Sequence, residues 1–357
     1  MRSDCGRGGS PQPASDFFNY EVDEMLGQER QGKVKESRSN PDVVTVAGLG
    51  VGQPGQRRLC PPGSFRLSTM ETCMPWLGCK EITNEVTTLG KIGSGGLKEV
   101  YKAIWRNHTV AYSNLTRPTH LKYFLQDIEM LKTLQHPSVL QYVGSCNTTL
   151  LTEFYQLGSA DFIKNTLKLN AYSKFNNVRT RFNMALSYLE CIHFLHNSPL
   201  GTRVMCDSNS LRKTLSQFLV TQDFKLVLSD LDRIPEVKHE AKLSFKCFSI
   251  RIRSLYVAPE QLWPFENEKF NDSRMPPYDE KSDIWKIPRV VDYLLGNVNG
   301  SDVVRSHLYK VHQQCHNRDP SQRPTTKVLL EEYNRVKNML FPEHITNSIV
   351  NQTVGIS

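Results

Sequence analysis

The stretch Ile92-Gly93-Ser94-Gly95-Gly96-Leu97-Lys98-Glu99-Val100-Tyr101-Lys102-Ala103 leaves a chain few choices. Three glycines in four residues cannot extend a helix or strand cheaply, because glycine loses the most backbone freedom on ordering. The apolar residues around them are spaced as in strands: Val86, Leu89 and Ile92 before, and Val100, Tyr101, Ala103 and Trp105 after. The pattern predicts a hairpin with the glycines at its turn. Such a turn is either a plain tight hairpin or a place where backbone N–H groups close over phosphates, since no Cβ blocks the approach. Asn107-His108 reads as the next turn and Val110-Ala111-Tyr112 as a third short strand.

The period then changes. Leu121, Phe124, Leu125, Ile128, Leu131 and Leu134 recur at threes and fours, predicting a helix over 119–134 with one apolar face, ended by His136-Pro137. Val139-Leu140-Tyr142-Val143 and Leu150 to Phe154 read as two more strands. After Gly158 the pattern is mainly helical, with Phe182, Ala185, Leu186, Leu189, Ile192 and Leu195 on one face. The exception is a pair of short strands around Phe218-Leu219-Val220 and Leu226-Val227-Leu228. Strands with one helix, followed by a helical body, make an α+β layout with two lobes. The divisions read as a disordered segment at 1–59, a Cys/Pro-rich loop at 60–80, a small lobe at 81–157, a large lobe at 158–342 and a tail at 343–357.

Composition narrows the compartment and the partners. Apolar residues make up 39% of the 357 and charged residues 22%, as in globular chains. The net charge of +8 is spread along the chain rather than collected in runs, which argues against a nucleic-acid partner. Cys60, Cys73 and Cys79 lie close together among Pro61, Pro62, Gly63 and Pro75, as in a small disulfide-stapled loop; their spacings of 13 and 6 match no common zinc pattern. Six Asn-X-Ser/Thr triplets start at Asn107, Asn114, Asn147, Asn271, Asn299 and Asn351, and with nine cysteines they favour the secretory pathway. Against this, no apolar run approaches the ~18 residues that span a bilayer. The best, Val43 to Val51, is short, Gly-rich and no signal peptide.

The stretch Val204-Met205-Cys206-Asp207-Ser208-Asn209-Ser210-Leu211-Arg212-Lys213 poses a choice. Asp207 is either a turn residue, since Asp, Ser and Asn bond their own backbone, or a catalytic base. The strand pair that follows, ending in Leu228-Ser229-Asp230-Leu231-Asp232, favours the base. At this point the chain resembles the protein-kinase family, whose catalytic aspartate precedes two short strands and an Asp-Phe-Gly. The departures are marked. Val110-Ala111-Tyr112-Ser113 has serine where the family keeps its phosphate lysine. The resemblance implies that Lys98, on the strand after the glycines, supplies that cation, as in the with-no-lysine kinases, with Lys102 on the same side of the strand. It implies a nucleotide cradle at Gly93, Ser94, Gly95, Gly96 and Lys98, and ATP with Mg²⁺ or Mn²⁺ as cofactors. Asp230 is then a metal ligand, and Gln217, by its spacing before Asp230, a second, with Asn209 as the alternative. Counting back from His136-Pro137 places Asp127 where the family has the acid that orients its lysine, with Glu129 nearby.

The remaining fold markers stand in the family's order. They are Val257-Ala258-Pro259-Glu260, then Tyr278 to Trp285 with its core-helix Asp283, then Arg318 to Thr325; Glu260 and Arg323 are expected to form a buried ion pair. The fold implied is the two-lobed protein kinase-like one. Cys60, Cys73 and Cys79, Gly201 to Asn209, Gln261-Leu262-Trp263-Pro264 and Asp283 to Pro288 resemble, more narrowly, the O-mannose kinases, an atypical branch of that family. The resemblance implies phosphate transfer from ATP to the 6-hydroxyl of mannose in a GalNAc–GlcNAc–mannose trisaccharide on α-dystroglycan. It also implies a lumenal catalytic domain anchored in the endoplasmic reticulum membrane, although residues 1–59 show no anchor; in an oxidising lumen a Cys206–Cys247 bridge from catalytic loop to activation segment is expected. The altered motifs keep two rivals open: a catalytically dead binding module, and a protein kinase acting on Ser or Thr.

Overall fold

The computed structural model describes residues 60–238, 247, 251–265 and 267–342. The segment expected to be disordered at 1–59, the apolar run within it, the tail 343–357 and the triplet at Asn351 lie outside the described residues. A short ribbon, β1 (Ser64–Phe65) against β2 (Met74–Pro75), is closed by the Cys60–Cys73 disulfide. α1 (Cys79–Glu85) then leads into β3 (Val86–Ser94), β4 (Lys98–Trp105) and β5 (His108–Leu115). α2 (Leu121–Thr133), β6 (Tyr142–Cys146) and β7 (Thr149–Glu153) complete the first half. Five strands form one antiparallel sheet in the order β3-β4-β5-β7-β6. At the β4–β5 turn Arg106 and Asn107 both take positive φ, 44° and 67°, the twist that a two-residue hairpin demands.

Alternation along the strands separates the two faces of this sheet. Ala103, Trp105, Val110, Val143 and Leu151 bury against Phe65, Leu77 and Ile82, so the Cys-rich segment and α1 cover one face. Leu150 and Tyr142 share the other core with α2. The stripe that α2 buries is Phe124, Asp127, Ile128, Met130 and Leu131; Leu121 and Leu125, expected on it, are 40% and 47% exposed. At 100° per residue those two leucines fall to one side of the stripe, which is displaced toward the acid. The cysteines also pair differently from the single stapled loop expected. Cys79 reaches Cys146, 67 residues on, because α1 packs against β6. The Cys206–Cys247 bridge is present.

The second half holds α3 (Ile163–Thr166), α4 (Val178–His196), α5 (Leu211–Leu215), β8 (Phe218–Val220) and β9 (Leu226–Leu228). Three helices of 15 residues each follow, α6 (Lys281–Leu295), α7 (Ser301–Cys315) and α8 (Thr326–Leu340). Asn177 caps α4 by accepting from the Thr180 N–H, all six residues expected on its apolar face are buried, and the helix packs against α6, α8 and β9. Each such leucine or phenylalanine contributes about 1.5–3 kcal/mol on burial. β8 and β9 pair as a hairpin, and β9 is tied back to the first half. The Leu140 N–H donates to the Leu228 carbonyl at 2.8 Å, and the Leu228 N–H to Ser138 at 2.8 Å. That tie sets the residues after β9 beside α2. Lower in the body Arg323 grips Glu260 with both ends of its guanidinium, at 2.5 and 2.8 Å, the ion pair the motif order predicts.

Candidate active site

Lys98 is the first residue of β4, just past the glycine turn, and its side chain is only 18% exposed. Its ammonium lies 2.6 Å from Asp127 Oδ2 on α2. Asp127 is wholly buried, whereas Glu129, two residues on, is exposed. The other oxygen of Asp127 accepts the Leu231 N–H at 3.0 Å, so one carboxylate links β4, α2 and the segment after β9. Burial pushes the Lys98 ammonium's pKa down, but the Asp127 and Asp230 carboxylates, and then Asp232, raise it by more; the net direction is up. Lys102 faces Phe154 instead, 5.4 Å from its ring centroid. Ser113 is buried on β5.

The glycine turn is narrow: the Gly95 N–H donates to the Lys98 carbonyl at 2.9 Å, and Gly93 pairs with Val100. Thr116 Oγ1 donates to the Gly96 carbonyl at 2.9 Å, and His120 Nδ1 lies 3.0 Å from the same oxygen, which fixes the turn to the start of α2. None of Gly93, Gly95 or Gly96 has a positive φ, and a Cβ at any of them would meet no protein atom closer than 3.8 Å. Neither backbone conformation nor internal packing therefore demands glycine here.

Asp207 lies in the loop between α4 and α5, with its side chain 18% exposed. Two cations face its carboxylate: Lys213 Nζ at 3.0 Å and Arg233 Nη1 at 3.9 Å. Lys213 comes from α5, a short helix between Asp207 and Asp230 whose first turn is capped by the Ser210 hydroxyl, which accepts the Lys213 N–H. Arg233 in turn lies over the Tyr123 ring of α2 at 5.5 Å. Nothing in the sequence pattern marks either cation as a partner of Asp207. Asn209, on the same loop, is exposed.

Gln217, by contrast, is buried, and its side-chain nitrogen donates to the Lys213 carbonyl at 3.1 Å. Its backbone carbonyl accepts from the Ser229 N–H at 2.8 Å and the Ser229 hydroxyl at 2.9 Å, which sets it beside the strand end that carries Asp230. Asp230 and Asp232 each keep a buried Oδ1 with no hydrogen-bond partner. Burial, and then the Asp230, Asp127 and Asp207 carboxylates, push the Asp232 carboxyl up to about 8. Unpartnered carboxyl oxygens crowded together suit a hard divalent cation, so these residues fit the ion that phosphate transfer requires. Among the described residues no three His, Cys, Asp or Glu side chains form a closed metal cage; phosphate oxygens usually complete such a site.

Residues 86–287 match the family model "Protein tyrosine and serine/threonine kinase". The chain is 45% identical over 284 residues to human "Protein O-mannose kinase", an alignment covering 79% of this chain and 81% of that protein. It is 45% identical over 286 residues to the protein of the same name from Macaca fascicularis, with 79% and 82% covered. The Gallus gallus protein is 44% identical over 288 residues, with 80% and 82% covered. The five-stranded lobe, the helical body and these similarities agree: the chain belongs to the protein O-mannose kinase family, within the protein kinases.

Proposed function

We propose that this chain transfers the γ-phosphate of ATP to the 6-hydroxyl of mannose in a GalNAc–GlcNAc–mannose trisaccharide O-linked to α-dystroglycan. The observation that carries the reading is the Lys98–Asp127 pair: it restores, from β4, the cation that Ser113 cannot supply. Gly93, Ser94, Gly95 and Gly96 leave room for a phosphate chain to approach the backbone, the one use for glycine that the turn's own geometry does not supply. Lys98 neutralises phosphate charge and Asp127 keeps its ammonium aimed. Asp230 and Gln217, with Asp232 alongside, hold Mg²⁺ or Mn²⁺. When bound, that ion offsets the charge on the phosphate oxygens.

Asp207 accepts the proton of the 6-hydroxyl as the sugar oxygen bonds to the γ-phosphorus and the bond to the β-bridging oxygen breaks, releasing ADP. A positioned base of this kind contributes roughly 10²–10⁴-fold. A primary sugar hydroxyl is chemically close to that of serine, so the kinase machinery serves both. Disulfides tie Cys60 to Cys73, Cys79 to Cys146 and Cys206 to Cys247, which supports an oxidising compartment, and we place the domain in the lumen of the endoplasmic reticulum. Among the described residues no helix is long and apolar enough to cross a membrane.

The test offers the purified chain labelled ATP and Mg²⁺ or Mn²⁺ with either the trisaccharide or a panel of Ser/Thr peptides. Label is expected in the trisaccharide alone. Transfer to peptides would make the chain a protein kinase, and transfer to neither would make it a binding module.

A further inference from the structure

Protein kinases of the common type carry His-Arg before the catalytic aspartate; here Met205-Cys206 occupies those places. Something else must hold the loop. α6 passes beneath it and presents two buried charges one turn apart, Asp283 and Lys286. Asp283 Oδ2 accepts the Met205 N–H at 3.0 Å, two residues before Asp207. Lys286 Nζ donates to Ser208 Oγ at 2.6 Å, one residue after it. The Ser208 hydroxyl donates onward to the Met205 carbonyl at 2.6 Å, which closes a ring around the bend. Lys286 is itself balanced by Asp283 Oδ1 at 3.3 Å, and His196 Nε2 lies 3.5 Å from Asp283 Oδ2. Lys286, Ser208 and Asp283 are each no more than 2% exposed.

Burying an ammonium costs several kcal/mol, and its ion pair seldom returns more than that, so stability alone is a poor reason to place lysine there. A charge-assisted bond in a dry site is short and directional. We propose that Lys286 is a positioning residue, which acts through Ser208 to fix the backbone that carries Asp207 in place of the missing His-Arg. The inference rests on the kinase reading above for its consequence in turnover, not for its structural content.

Two variants and their combination test it. Lys286→Met keeps the length and removes the ammonium; Ser208→Ala removes only the hydroxyl. Displacing a reacting group by about 1 Å costs roughly 100-fold, so kcat for sugar phosphorylation is expected to fall ~10- to 100-fold in each, with KM for ATP within about twofold. Because the two act as one unit, Lys286→Met/Ser208→Ala is expected to lose no more than the worse single variant. Hydrogen exchange supplies a readout free of turnover: the peptide 203–213 is expected to exchange about tenfold faster in both variants, while 284–295 in α6 stays protected. Normal kcat with unchanged exchange in Ser208→Ala overturns the proposal, and so do losses that multiply. If Lys286→Met does not fold, Ser208→Ala decides alone. If the wild-type chain phosphorylates nothing, the functional reading fails, and the exchange comparison still decides this one.

Discussion

Lys98 shows how far one residue's surroundings can be read from spacing. Two lysines lie on the same side of β4, and only the one nearer the glycines reaches Asp127; the other is drawn to Phe154. Counting back from His136-Pro137 points to Asp127 with Glu129 nearby; the structure buries Asp127 and exposes Glu129, since two helical steps turn a side chain through about 200°. The acid is buried and accepts both from Lys98 and from the Leu231 N–H. Removing the cation alone therefore leaves a desolvated charge, which costs about 3–5 kcal/mol. Lys98→Met is expected to lower Tm and abolish transfer. Lys98→Met/Asp127→Asn is expected to regain much of the Tm and none of the activity, as checked by thermal unfolding beside the labelled-ATP assay. Equal Tm in both variants would remove the ion pair from the explanation.

The helices and strands were legible where their pattern was strong and their partners near. α4, with six apolar residues in register, is as expected. α2 exists where predicted, but its buried stripe includes a carboxylate and excludes two leucines, because the stripe is chosen by what packs on it, not by hydrophobicity alone. The Cys-rich segment joins the sheet by a contact no local pattern announces. The Leu77 N–H donates to the Val143 carbonyl at 3.0 Å, and Leu77 pairs in parallel with Gly144. A Cβ at Gly144 would overlap the Leu77 carbonyl, which is backbone and cannot swing aside. Gly144→Ala is expected to destabilise the fold by about 1–3 kcal/mol, the range for forced overpacking. Exchange should rise first in 74–82, the segment pushed off the sheet. Unchanged Tm and exchange would mean that the two backbones separate freely.

In the helical body, packing sets the pH response. His312 on α7 is enclosed by α8, with Nε2 2.7 Å from the Tyr333 hydroxyl. Burial, and then His316, lower its pKa from 6.5 to about 4, with Asp292 opposing weakly. A histidine held neutral in the fold but free to charge when unfolded contributes stability above pH 6.5. That contribution is lost as pH falls from 6.5 through about 4. Unfolding midpoints measured across that window are expected to decline, and to decline less steeply in His312→Gln. Identical slopes would assign the acid sensitivity to other groups.

The chain's own order of residues determined the α+β class, the glycine hairpin, the lysine that follows it and the acids at both ends of the small strand pair. The class and the hairpin follow from backbone periodicity, which acts over a few residues; the lysine and the acids stand out by resemblance to the kinase motifs. What only the tertiary structure decided was which distant groups meet. Lys213 and Arg233 flank Asp207, Cys79 finds Cys146, and Lys286 stands under Ser208. These partners lie 6 to 78 residues apart, and a lysine that will be buried reads, in sequence, no differently from one that stays in water.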